Sequence, residues 1–153
     1  MDINAILIDK GIVLPDAPPP AANYIPYVKI DKLVFVSGQV SQNENGFING
    51  VLGKDLNVEE GYDAARQCAI SLLAQLKSAV NGDLNKLTKV AKLGGFVNSA
   101  PDFTEQPSVI NGASDLLVEL FGEKGRHART AVGANLPLGV AVEIDGIFEI
   151  NLN

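Results

Sequence analysis

The sequence predicts an α+β domain, one mixed β-sheet with two helices laid on one face, and three observations carry that prediction. Extended and helical patterns alternate from Tyr27 onward in the order β-β, helix, β, helix, β-β. Both helix candidates carry their own start and stop signals. The length, 153 residues, suits one ordinary domain, which buries roughly 68–70% of its unfolded surface and so needs no disulfide or metal to hold a core. The whole chain, 1–153, is therefore read as a single domain whose first 26 residues form a short helix and a strap.

The elements follow in order. Ile3 to Ile8 is an apolar run broken by Asp9 and Lys10. It is too short to cross a bilayer and has no basic leader, so it reads as a helix ending near Gly11. The segment LPDAPPPAANYIPYV places three prolines in a row and must run extended across the surface. Tyr27 to Ile30 and Lys32 to Ser37 are strands joined at Asp31, and Leu33, Val34, Phe35 and Val36 are apolar on both faces, so both faces need cover. Asn43 to Gly53 is rich in Gly and Asn and reads as a loop with a short strand.

Asn57-Val58-Glu59-Glu60 is a capping box opening a helix that runs to about Val80, with Gly82 just beyond its end. Lys86 to Asn98 is a strand with Val90, Leu93, Phe96 and Val97 toward the core. A second helix starts near Pro107 and stops at Gly122. Two strands follow, Ala128 to Ala134 and Gly139 to Ile150. Two helices cover one face of such a sheet, and the other face mixes apolar and acidic residues, as a subunit interface does. An oligomer is expected.

Composition narrows the function. Eighteen Asp and Glu against twelve Lys and Arg leave a net charge of −6, which works against nucleic acid as the main partner. One cysteine, Cys68, excludes an intrachain disulfide and suits a reducing, cytoplasmic setting; one histidine, His127, speaks against a zinc enzyme. Cys68 lies inside a helix among alanines and reads as an inert buried thiol. His127 reads as a strand-entry residue on the same face as Arg129.

Two charges on apolar strands carry the functional argument. Arg129 sits in Ala128-Arg129-Thr130-Ala131-Val132, and Glu143 interrupts the alternation of Val142 to Ile150. A charge on a buried strand is costly unless it is paired. Each could pair with the other, or Arg129 could hold a ligand carboxylate, which its planar fork of N–H donors matches. Read alone, the two strands leave both options open.

Short segments in a fixed order add a family resemblance: Tyr24-Ile25-Pro26-Tyr27-Val28, Leu33 to Gln39 (LVFVSGQ), Val109-Ile110-Asn111, Ala128-Arg129, Leu136-Pro137 and Val142-Glu143-Ile144. Together they resemble the RidA/YjgF family of reactive intermediate deaminases, also called endoribonuclease L-PSP. The resemblance implies a chorismate-mutase-like fold, a homotrimer with sites between subunits, no cofactor, and hydrolysis of enamines or 2-imino acids to 2-keto acids and ammonia. It assigns Arg129 to the substrate carboxylate and Glu143 to a water, with Tyr27, Ser37 and Asn111 lining the same pocket. Taken without it, these last three read as an amphipathic tyrosine, a turn serine and a surface asparagine.

The chain departs from typical members in its N-terminal helix and strap, in the longer connection Asn98 to Ser108, and in an Arg129 to Leu136 spacing one residue shorter. These mark a divergent subgroup. Two other functions use the same residues: a non-catalytic binder of carboxylate metabolites, and an RNA-cleaving enzyme. The acidic charge and the lack of a histidine-based acid/base pair oppose the second.

Overall fold

The C-terminal strand of the sequence lies in the middle of the sheet, and this placement organises everything around it. The structure, a computed structural model, describes residues 1–153. Its elements are helix α1 (Ile3–Asp9), strands β1 (Tyr27–Ile30) and β2 (Leu33–Val40), a small hairpin β3 (Gln42–Asn43) and β4 (Gly46–Phe47), helix α2 (Val58–Ala79), β5 (Leu87–Val97), α3 (Gln106–Phe121), β6 (Ala128–Gly133) and β7 (Val142–Ile150). The five-stranded sheet has the order β1-β2-β7-β5-β6. Only β5 and β6 pair in parallel, and α3 supplies the crossover that a parallel pair requires. Helix α2 carries the chain from β2 to β5, leaving a gap that β7 fills antiparallel to both. The α+β sandwich is as the sequence predicts.

Local signals explain most element ends. The Asn57 side chain accepts from the Glu60 N–H at 2.8 Å, and Glu60 Oε1 accepts from the Asn57 N–H at 3.2 Å, completing the capping box. Pro107 stands in the first turn of α3, where no N–H is needed. Strand β7 begins three residues later than its apolar pattern suggests, because Pro137–Gly139 form a 3-10 turn in which Leu138 takes a left-handed φ of 62°.

The core lies between the helices and one face of the sheet. Val142, Ile144, Gly146, Phe148 and Ile150 of β7 are buried there in strict alternation, against Ala65, Cys68, Leu72 and Leu76 of α2. The Cys68 thiol is fully buried 3.5 Å from the Val142 carbonyl, and burial pushes its pKa well up, so it is inert as expected. Phe96 corrects the predicted core: it is half-buried on the opposite, open face, since β5 alternates Leu93 and Val97 inward with Phe96 outward.

Helices α2 and α3 cross closely because Gly112 has no side chain. A Cβ there would run into the Tyr62 carbonyl oxygen, which is backbone and cannot yield. Gly112→Ala is expected to destabilise the fold by about 1–3 kcal/mol or more, seen as a lower urea midpoint at unchanged slope. A midpoint equal to the parent's would mean that the helices separate freely.

Candidate active site

Strand β6 is an edge strand, so Arg129 is not the core residue its apolar neighbours suggest. Its Cα pairs with that of Leu93, which fixes its side chain on the helix face of the sheet. There Nη1 donates to Ser114 Oγ at 3.0 Å and Nη2 to the Pro107 carbonyl at 3.1 Å, both on α3. The chain's three ion pairs join Lys10 and Arg66 to Glu119 and Arg126 to Glu123. The guanidinium of Arg129 thus meets no carboxylate. Asn111 lies on the same α3 face, at i+4 from Pro107 and three before Ser114, so Arg129 and Asn111 share one locality.

Glu143 occupies the other face of the sheet. Its Cα partners are Val40 and Phe96, and its carboxylate makes no ion pair or hydrogen bond within the chain. The structural alternative in which Arg129 and Glu143 neutralise each other does not occur in the chain, because alternation along β6 and β7 points them to opposite sides. Burial raises the Glu143 pKa above its usual value, and the like charge of Asp145 on the same face adds to the rise. Asp145 is also raised by burial, although its Oδ1 accepts the Gly94 N–H at 3.0 Å and Lys92 opposes the shift.

A bulge sets Gly38 against Glu143, with Ser37 beside it in the chain. Between Val36 and Gln39 strand β2 holds one residue more than β7, a device that re-aims side chains beside sites. The Ser37 N–H and hydroxyl are taken by the Pro26 and Ile25 carbonyls at 2.9 and 2.8 Å. Gly38 is glycine for a local reason: a Cβ would stand 2.6 Å from Glu143 Oε2. The depression beside it, about 540 Å³, is lined by Phe35, Ser37, Gly38, Lys92, Phe96 and Asp145 among others. Tyr27 lies apart, on the helix face of β1, with its hydroxyl 3.3 Å from Ser78 Oγ.

The matches to known proteins run over nearly all of this architecture. The sequence model described as "YjgF/chorismate mutase-like, putative endoribonuclease" covers residues 4–142. The chain belongs to the RidA/YjgF family. Among curated relatives, Protein TCP17 of Trypanosoma cruzi is 51% identical over 92% of this chain and 89% of its own. The 2-iminobutanoate/2-iminopropanoate deaminase of Dermatophagoides farinae is 29% identical over 91% and 94%. A solved "putative endoribonuclease" of Shewanella oneidensis superposes with a TM-score of 0.93 at 33% identity, covering 98% of this chain and all of that one.

Within this RidA/YjgF chain, the five residues that the family motifs single out fall into three places. Ser37 lines the open-face depression, and Glu143 stands on the same face beside Gly38. Arg129 and Asn111 lie on the β6 and α3 side of the fold, where Arg129 bonds Pro107 and Ser114, the helical neighbours of Asn111. Tyr27 stands at the opposite edge, four strand spacings from β6, or roughly 19 Å. Sequence reasoning missed Ser114, which touches Arg129 directly, and understated His127, whose ring is 2.9 Å from the same Ser114 Oγ. It also passed over Lys92 on the open face and gave Asp145, which it placed there beside Glu143, no role. The one available signal for Ser114 was its helical phase with Pro107 and Asn111.

Proposed function

We propose that this chain hydrolyses 2-imino acids to 2-keto acids and ammonia, in sites completed between the subunits of a homotrimer. The observation that carries the reading is a guanidinium with no carboxylate of its own and a half-buried carboxylate with no cation or donor of its own. Each lacks a partner that a substrate would supply. In the proposed step Arg129 receives the substrate carboxylate, and Glu143 takes a proton from a water whose oxygen attacks the imine carbon. That proton passes to nitrogen to give the carbinolamine, its hydroxyl proton then follows to nitrogen by way of Glu143, and as the carbon–oxygen double bond forms the carbon–nitrogen bond breaks, releasing ammonia and a 2-keto acid. An imine carbon is already electrophilic, so holding and one acid/base group suffice. The similarity to a 2-iminobutanoate/2-iminopropanoate deaminase supports the same chemistry.

The placement of the residues supports the trimer. Val28, Phe35 and Val132 of the open face are 43%, 38% and 41% exposed in the single chain, an apolar surface that association would cover. A closed ring of copies with the open faces turned inward would set the β6 side of one beside the β1–β2 side of the next, bringing Arg129 and Asn111 nearer to Tyr27, Ser37 and Glu143 than one chain holds them. Light scattering at micromolar concentration is expected to give three times the 16.1 kDa chain mass; a clean monomer would sink the shared-site reading. The activity is tested by ammonia release from freshly generated 2-imino acids, with equimolar 2-keto acid as the required second product. Binding of a 2-keto acid without ammonia release would favour a non-catalytic carboxylate receptor instead.

A further inference from the structure

The network behind Arg129 admits one arrangement of protons. His127 Nδ1 lies 2.6 Å from the Gly125 carbonyl oxygen, which can only accept, so Nδ1 carries the hydrogen. In the neutral ring Nε2 is then an acceptor. Ser114 Oγ, 2.9 Å away, must donate its single proton to Nε2 and turns its lone pairs to Arg129 Nη1 at 3.0 Å. With Nη2 held by the Pro107 carbonyl, the guanidinium plane is set from two sides, and its remaining N–H donors are left for a ligand.

We propose that Ser114 and His127 are positioning residues for the Arg129 carboxylate clamp, with His127 acting through the Ser114 hydroxyl. The proposal takes its substrate from the deaminase reading, but its geometry stands without it. The ring is half-buried between β6 and α3. The charged groups around it are Arg129 on β6 and Lys89 on β5, whose Nζ is given to the Glu123 carbonyl at 2.9 Å. Asp115 of α3 is engaged by the Tyr62 hydroxyl at 2.8 Å, and Glu123 pairs with Arg126 at 2.9 Å. No carboxylate is among the charges that act on the ring. Burial, followed by the charges of Arg129 and Lys89, lowers the His127 pKa, against the opposing pull of the Gly125 carbonyl.

Protonation would turn Nε2 into a donor and force the Ser114 proton away from it. The relay then loses its single arrangement, and the clamp should loosen as the pH falls below about 6.5, the ordinary histidine value. Such dependence belongs to carboxylate binding, not to the chemical step.

The test uses the intact protein with 2-oxobutanoate as probe. Ser114→Ala and His127→Phe are expected to weaken its binding, and to raise KM for the imino acid, on the order of tenfold with little change in kcat. His127→Gln, whose amide oxygen can take the Ser114 proton, should recover most of that loss and flatten the acid limb of the binding profile. Nitrogen-15 NMR at pH 7.5 should show a neutral ring protonated at Nδ1. Unaltered 2-oxobutanoate binding in both variants, or a ring protonated at Nε2, overturns the relay. A parent that binds 2-oxobutanoate with this order of variants but releases no ammonia supports the relay and defeats only the deaminase reading. A parent that does not bind it overturns both.

Discussion

Arg129→Ala is expected to lower kcat/KM for 2-imino acids by roughly 10²-fold or more. A hydrogen bond to a charged group contributes about 1.5–3 kcal/mol, and a bidentate clamp makes two of them. The loss should appear in binding as well as turnover, since carboxylate capture precedes the chemical step. Arg129→Lys keeps the charge but not the planar fork, and should recover only part of the activity. The fold should survive, because Arg129 is half-buried on an edge strand and its bonds to Ser114 and the Pro107 carbonyl join only β6 to α3. Calorimetry with a 2-keto acid decides the role. If Arg129→Ala binds it as tightly as the parent, Arg129 is a brace for α3 and the clamp assignment fails.

Glu143→Gln should separate catalysis from both binding and stability. The amide keeps the shape and loses the base, so turnover should fall about 10²- to 10⁴-fold while 2-keto acid binding persists. In the proposed step Glu143 works as the carboxylate, and its pKa is raised above 4.5 by burial and Asp145. The acid limb of kcat/KM in the parent should therefore lie above the ordinary glutamate value, and Glu143→Gln should lack it. The linkage has a definite sign. Between pH 4.5 and the raised value the folded chain binds more protons than the unfolded one, so stability falls as pH rises through that window. Ionised Glu143 destabilises the fold at neutral pH, and Glu143→Gln should melt no lower than the parent at pH 7, an advantage that disappears near pH 4. A lower melting temperature at pH 7 together with retained turnover would reassign Glu143 to a structural role.

What could be read from the sequence was local. The Asn57–Glu60 capping box, Pro107 opening α3 and Gly122 closing it act over three or four residues, and each stands where its pattern places it. The β-β-α-β-α-β-β order was legible for the same reason, and with the family motifs it settled the fold. Sheet order was not, because nothing within Val142 to Ile150 says that β2 and β5 will be its neighbours. That gap had a direct cost at the site. Arg129 and Glu143 each announced themselves as charges on apolar strands, but their relative facing depends on which strands pair, so their mutual neutralisation looked open although one chain sets them on opposite faces. Ser37 looked like a turn residue for a related reason: its bulge is defined only against β7. Ser114 carries no local signature beyond its helical phase with Pro107 and Asn111. It acquires meaning only when β6 is laid along α3.

The central position of β7 also sets a timetable for assembly. Leu33 pairs with Glu149 and Leu87 with Ile150, so both halves of the sheet wait for the segment synthesised after all of their other residues. Until it arrives, β2 and β5 each present an unpaired inner edge flanking a slot one strand wide, and such edges invite pairing with another chain. Contacts of this sequence separation form slowly. A nascent or truncated chain lacking β7 would thus hold its two long helices over an open slot, able to accept a β7 segment from a neighbour. Strand exchange between copies, more than unfolding, is the failure to which this architecture is most exposed.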